Sequence, residues 1–100
     1  MFKKILISST ILLSSLSAHT AVMTCFDNGD STITCEGGFS DGASGSGVTT
    51  YVKQNDSKTI SSVMNEDSEF TFNKPKDSYS VIFDAGKGHL VEIHGKDIVE

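Results

Sequence analysis

Apolar and polar residues alternate along much of this chain in short runs, and the runs are separated by turn-forming clusters. Tyr79-Ser80-Val81-Ile82-Phe83-Asp84 places Tyr79, Val81 and Phe83 on one face. Glu69-Phe70-Thr71-Phe72 does the same with Phe70 and Phe72, leaving Thr71 outward. A period of two is the mark of a half-buried strand. The pattern predicts strands at 21–26, 32–39, 47–54, 59–64, 69–73, 78–84 and 89–94. Val48, Tyr51 and Val52 break the alternation, so a bulge or an error in the assigned register is expected in the third strand. Between the strands stand Asn28-Gly29-Asp30, residues 40–47, Asn55-Asp56-Ser57, Glu66-Asp67-Ser68, residues 74–77 and Gly86-Lys87-Gly88. Pro75, the only proline, falls in one of these turns, where its missing N–H costs nothing. Such spacing indicates an all-β sandwich or barrel. The Gly/Ser stretch at 42–47 is read as a flexible loop within the domain.

The first eighteen residues follow a different pattern. Lys3 and Lys4 precede an apolar run at 5–16, then Ser17-Ala18. This is the layout of a secretory signal peptide, with cleavage expected after Ala18 and, as runner-up, after Ser17. The domain organisation is therefore a signal peptide at 1–18 and one domain at 19–100. No cysteine follows the apolar run, so a lipid anchor is not expected. Six lysines and no arginine then face thirteen carboxylates, a mature net charge near −7. That balance disfavours phosphate backbones, so no nucleic-acid partner is expected.

Cys25 and Cys35 are the only cysteines and flank the turn at Asn28-Gly29. An even count in an exported chain argues for a disulfide joining the two arms of a hairpin. Closing so short a loop stabilises a small core by about 2–3 kcal/mol. The ten-residue separation lacks the two-residue spacing of redox pairs.

Catalytic patterns are missing: no Gly-x-Ser-x-Gly elbow, no phosphate-binding glycine loop and no His-Glu-x-x-His pair. The chain reads as a non-enzyme. Asp27-Asn28-Gly29-Asp30 resembles a calcium loop only superficially, since Phe26 would take the first ligand position. A hairpin turn, with Asp and Asn in left-handed conformations, is the better reading.

The histidines carry the remaining chemistry. Cleavage after Ala18 makes His19 the first residue, and its free amine and ring nitrogen then close one chelate ring on a divalent metal. Cleavage after Ser17 makes it the second, where amine, amide and imidazole suit nickel or copper. His89 follows the glycine-rich turn beside Asp84, and His94 lies five residues on. An odd separation puts these two on opposite faces of one strand. His89 is the better ligand candidate, and it meets His19 if the first strand comes near the last.

Residues 33–94 also resemble the small periplasmic domains that accompany nickel and cobalt uptake transporters of the energy-coupling-factor type. The resemblance rests on Glu36-Gly37-Gly38-Phe39-Ser40-Asp41-Gly42, on Gly47-Val48 leading to Tyr51-Val52, and on residues 65–72 and Lys74-Pro75-Lys76. Its most specific part is the segment ending Asp84-Ala85-Gly86-Lys87-Gly88-His89. It implies a transthyretin-like, carboxypeptidase-regulatory-like fold, here a seven-stranded Greek-key sandwich. It also assigns Asp84, Gly86, Gly88 and His89 to a family turn. Ser68 departs from the relatives' glycine, and no transmembrane helix follows the domain. The implied function is that of a periplasmic, non-enzymatic accessory of metal uptake. It would bind or deliver Ni2+, with Co2+ or Cu2+ as the other candidates, and meet membrane transporter subunits. The rival from another class is a structural or protein-interaction sandwich with no metal role.

Overall fold

A computed structural model describes residues 19–100, and the expected signal peptide lies outside them. The described chain is all-β: β1 (Ala21–Asp27), β2 (Thr32–Phe39), β3 (Thr49–Gln54), β4 (Ser57–Val63), β5 (Glu69–Asn73), β6 (Ser80–Asp84) and β7 (Leu90–His94), then a short 3-10 turn at Gly95–Asp97. They form two antiparallel sheets, β1-β2-β5 and β4-β3-β6-β7. Each expected strand is present, with ends shifted by two residues at most.

The inward faces supply the core. Ile33, Cys35, Phe70 and Phe72 come from the first sheet, and Val52, Val81 and Phe83 from the second, with Met64 filling the end between them. The sequence pattern expects Val81 and Phe83 to be buried, and both are fully so. Ile82 and Ser80, on the other face of β6, are buried too. Ile82 lies between Tyr51 of β3 and Glu92 of β7. Lys53 reaches Glu92 at 3.7 Å, and Lys58 sits 4.4 Å above the Tyr51 ring. Long side chains of neighbouring strands thus roof the outer face of a central strand. The expected irregularity in β3 is a register shift between Val52 and Lys53.

Cys25 and Cys35 stand directly opposite each other in the β1–β2 ladder and are joined by a disulfide. The intervening turn corrects one expectation. Its left-handed residues are Gly29 (φ 82°) and Ser31 (φ 74°), not Asn28 and Asp30. The acidic side chains act locally instead: Asp27 accepts the Gly29 N–H and Asp30 accepts the Thr32 N–H.

The 42–47 loop is not loose. Phe39 N–H donates to Ala43 O, Gly38 and Ser44 form a bridge, and Gly45 lies flat against β2. A Cβ on Gly45 would fall 2.3 Å from Gly37 O, so only glycine fits this close approach. Ser68 holds the left-handed position (φ 63°) where the resemblance places glycine. Its hydroxyl lies 2.8 Å from the Ser44 hydroxyl and accepts the Gly45 N–H at 3.1 Å. Those bonds tie the loop down and give the serine a role that glycine lacks.

Candidate metal centre

Two histidines distant in sequence meet at one end of the sandwich. Ala21, Met23 and Cys25 are the inward residues of β1, and His19 continues their parity past the strand's start. Val91 and Ile93 are the inward residues of β7, and His89 continues theirs. Each histidine therefore stands one step beyond the core on a core-facing position. The rings come to 5.7 Å between centroids, edge to face at 73°.

His19 is held from two further sides. Its ring stacks on Phe39 at 4.5 Å and 5°. Phe39 in turn leans on the buried Phe83 ring at 6.0 Å, so the histidine rests on the core through one aromatic. Its Nδ1 lies 3.0 Å from Asp41 Oδ2. The His19 hydrogen bond, and after it the Ala43 N–H, hold the Asp41 carboxyl below its ordinary value. Backbone geometry fixes this pairing. Ser40 N–H donates to Thr20 O at 2.8 Å, and Thr20 N–H donates to Ser40 Oγ at 3.0 Å. This reciprocal clamp sets the residue before Thr20 against the residue after Ser40.

On the other side, Asp84 Oδ1 accepts the Gly86 N–H at 3.0 Å, while His89 N–H donates to Gly86 O at 2.8 Å. Gly86 (φ 109°) and Gly88 (φ 83°) both occupy the left-handed half of conformational space. Asp84, Gly86 and Gly88 thus build the turn that presents His89. Asp84 accompanies His89 by shaping its backbone.

His94 faces elsewhere. Its Nδ1 lies 3.0 Å from Ser80 Oγ, on the outer face of the second sheet and towards the opposite end. The sequence places His89 and His94 on opposite faces, and the structure agrees. Asp41 is the partner of His19 that sequence reasoning missed, because it sits in the 40–47 turn, beyond the reach of strand periodicity. The two-residue offset from Phe39, at the mouth of a β1–β2 hairpin, was the available clue.

Among the described residues, no three His, Cys, Asp or Glu side chains already converge on one ion position. The cluster holds two imidazoles and one carboxylate. The surroundings favour a cation: Asp41, Glu66, Asp67, Glu69 and Asp84 occupy turns and strand ends here, against the single lysine Lys87. No described helix is long and apolar enough to cross a membrane. Comparison with protein-family models, with curated proteins and with solved structures found no match in any of the three.

Proposed function

We propose that this chain is an exported, non-enzymatic accessory of transition-metal uptake, working in the periplasm after removal of residues 1–18. It binds a late divalent ion through the amine and imidazole of His19 together with His89, and passes it to membrane transporter subunits. Nickel is the ion the family resemblance suggests, with cobalt and copper in the same donor class. The observation that carries the reading is the meeting of His19 and His89 at 5.7 Å, at the point where cleavage frees an amine. We also propose a transthyretin-like Greek-key plan, for which the support is that the β2–β3, β4–β5 and β5–β6 connections pass between the sheets.

The test is calorimetric titration of nickel into the mature protein with a native amino terminus, into His19→Ala, and into protein with an acetylated terminus. Sub-micromolar binding that both changes abolish supports the proposal. Silence towards nickel, cobalt and copper alike sinks it. The interaction-module reading would then gain from β7, an edge strand whose Leu90 is 57 % exposed.

A further inference from the structure

We infer that Asp41 is itself a metal ligand, and that the end cluster is a four-donor copper(II) site made of the His19 amine, His19 Nδ1, Asp41 Oδ2 and the His89 imidazole. The inference rests on the metal reading above and deepens it, by naming the ion and one more donor.

The first step is connectivity. A metal held by the α-amine and the ring of one histidine closes a six-membered ring only through Nδ1, because Nε2 points away from the backbone. The alternative cleavage, which makes His19 second, also needs Nδ1, since the metallated amide nitrogen belongs to the same residue. Nδ1 is the atom that faces Asp41 Oδ2 at 3.0 Å. Two donors bound cis at about 2.0–2.2 Å from one ion stand about 2.8–3.1 Å apart. The hydrogen-bonded pair is therefore already spaced as one edge of a square coordination plane. Exchange of the shared proton for the ion needs little movement of either group.

The second step places His89. An imidazole centroid lies about 3.1 Å from an ion bound at about 2.0 Å. Two rings on one ion are then about 4.5 Å apart when cis and about 6.3 Å when trans, by the same bond length. The observed 5.7 Å falls between these limits. Rotation of the His89 side chain, on a turn fixed by Asp84 and Gly86, completes the set.

The third step is choice of ion. Copper(II) prefers four strong donors in a plane, and it heads the affinity order for nitrogen and oxygen sites. Nickel in a field of amine, imidazole and carboxylate stays six-coordinate, completing its octahedron with water, and stands below copper in that order. Zinc favours a tetrahedron, which the cis spacing of Nδ1 and Oδ2 fits less well.

The experiment loads mature protein, bearing His19 as its native first residue, with Cu2+, Ni2+ or Zn2+ in competition with a chelator. Electron paramagnetic resonance is recorded on the copper form. Copper should bind at least about 100-fold tighter than nickel, with three nitrogens coupled to the spin. Asp41→Asn should weaken copper about 10–100-fold and shift the parallel g value. His89→Ala should reduce the coupled nitrogens to two. An Asp41→Asn spectrum identical to wild type overturns the inference, as does nickel binding tighter than copper; either result leaves the metal reading standing. Absence of binding by all three ions removes both.

Discussion

Each end of the sandwich holds one aspartate against one nitrogen base, and the two pairs are built for different ends. At the far end Lys74 Nζ meets Asp27 Oδ2 at 2.8 Å. At the near end His19 Nδ1 meets Asp41 Oδ2 at 3.0 Å. Lysine keeps its charge across the whole physiological range, and its hydrogen bond with Asp27 raises its pKa further. That pair is a fixed clasp. It joins the start of the β5–β6 connection to the end of β1, beside the carboxy-terminal segment, where Asp27 N–H donates to Val99 O. A neutral imidazole has a ring lone pair to offer a metal, which an ammonium lacks. Under the proposal above the near pair exchanges its shared proton for an ion. The same residue class thus serves cohesion at one end and, under the metal proposal, chemistry at the other, the difference lying in the base and in the aspartate's access to solvent, 13 % for Asp27 against 35 % for Asp41.

Lysines sharpen the contrast. Lys53, Lys74, Lys76 and Lys96 line a groove at the far end with His94 and Tyr79. Two of these lysines already face carboxylates, Glu92 and Asp27. The near end has Lys87 alone amid its acids. A cation approaching this acidic chain meets its least opposed negative field where the histidines stand.

The strongest way to test the separation is through the core aromatics behind each end. Phe83 is fully buried and backs Phe39, on which His19 is stacked. Phe72 is also buried but faces Tyr79, at 6.0 Å, near the groove. Either residue changed to alanine should cost about 3–5 kcal/mol in denaturant unfolding. Only Phe83→Ala should also weaken metal binding in the fraction that folds. Equal weakening by both variants would mean that the two ends are one cooperative unit.

Much of this contrast was legible in the sequence. Period-two runs located seven strands because antiparallel sheets with one solvated face leave that pattern in the residues themselves. The disulfide followed from two cysteines about one hairpin turn, and an irregularity in β3 from the break at Val48, Tyr51 and Val52. The burial of Ile82 was not legible, since the roof over it comes from Tyr51 and Glu92 on other strands. Nor was the order of the 42–47 loop, which depends on Ser68, more than twenty residues away. Asp41 was hidden for the same reason. Its relation to His19 arises from the Thr20–Ser40 clamp, and strand periodicity says nothing of bonds between a terminus and a loop. The expected cleavage point and the glycine-rich turn singled out His19 and His89 as candidate ligands; only the fold brings them together.

A smaller effect separates the two aspartates in acid. The hydrogen bond from Lys74, then that from the Gly29 N–H, holds the Asp27 carboxyl below its ordinary value of 3.8. A carboxyl with a lowered folded pKa contributes stability that is present above its unfolded value and lost as pH falls through the folded one. Melting temperature should therefore fall between about pH 5 and about pH 2, and Asp27→Asn should remove part of that slope. Asp41 is lowered as well, chiefly by His19, and acts in the same window. Its share should shrink in His19→Ala to what the Ala43 N–H sustains, whereas the Asp27 share should persist there in full. A His19→Ala slope matching that of wild type would show that the near pair contributes nothing to stability, which would sharpen its assignment to chemistry.

The smallest effect concerns the Tyr79 hydroxyl, the groove's one polar atom that is buried without a hydrogen-bond partner among the described residues. Its ring is wedged between Phe72, edge to face, and Gly95, where a Cβ would fall 2.4 Å from Cε1. Burial is the main cause that raises the phenol above its ordinary 10.0. A raised folded pKa gives stability that is complete below the unfolded value and lost as pH climbs through the folded one. Tyr79→Phe deletes a desolvated hydroxyl that gains nothing in return, so stability at neutral pH should change by no more than about 0.5 kcal/mol. Above pH 10 the variant should lose less stability than wild type, the remaining loss coming from Lys74. Urea unfolding at neutral and alkaline pH reads both quantities. A cost above about 1 kcal/mol at neutral pH would mean that the hydroxyl has a hydrogen-bonding partner in solution. The groove would then be a second polar site, and the division into a cohesive end and a chemical end would fail.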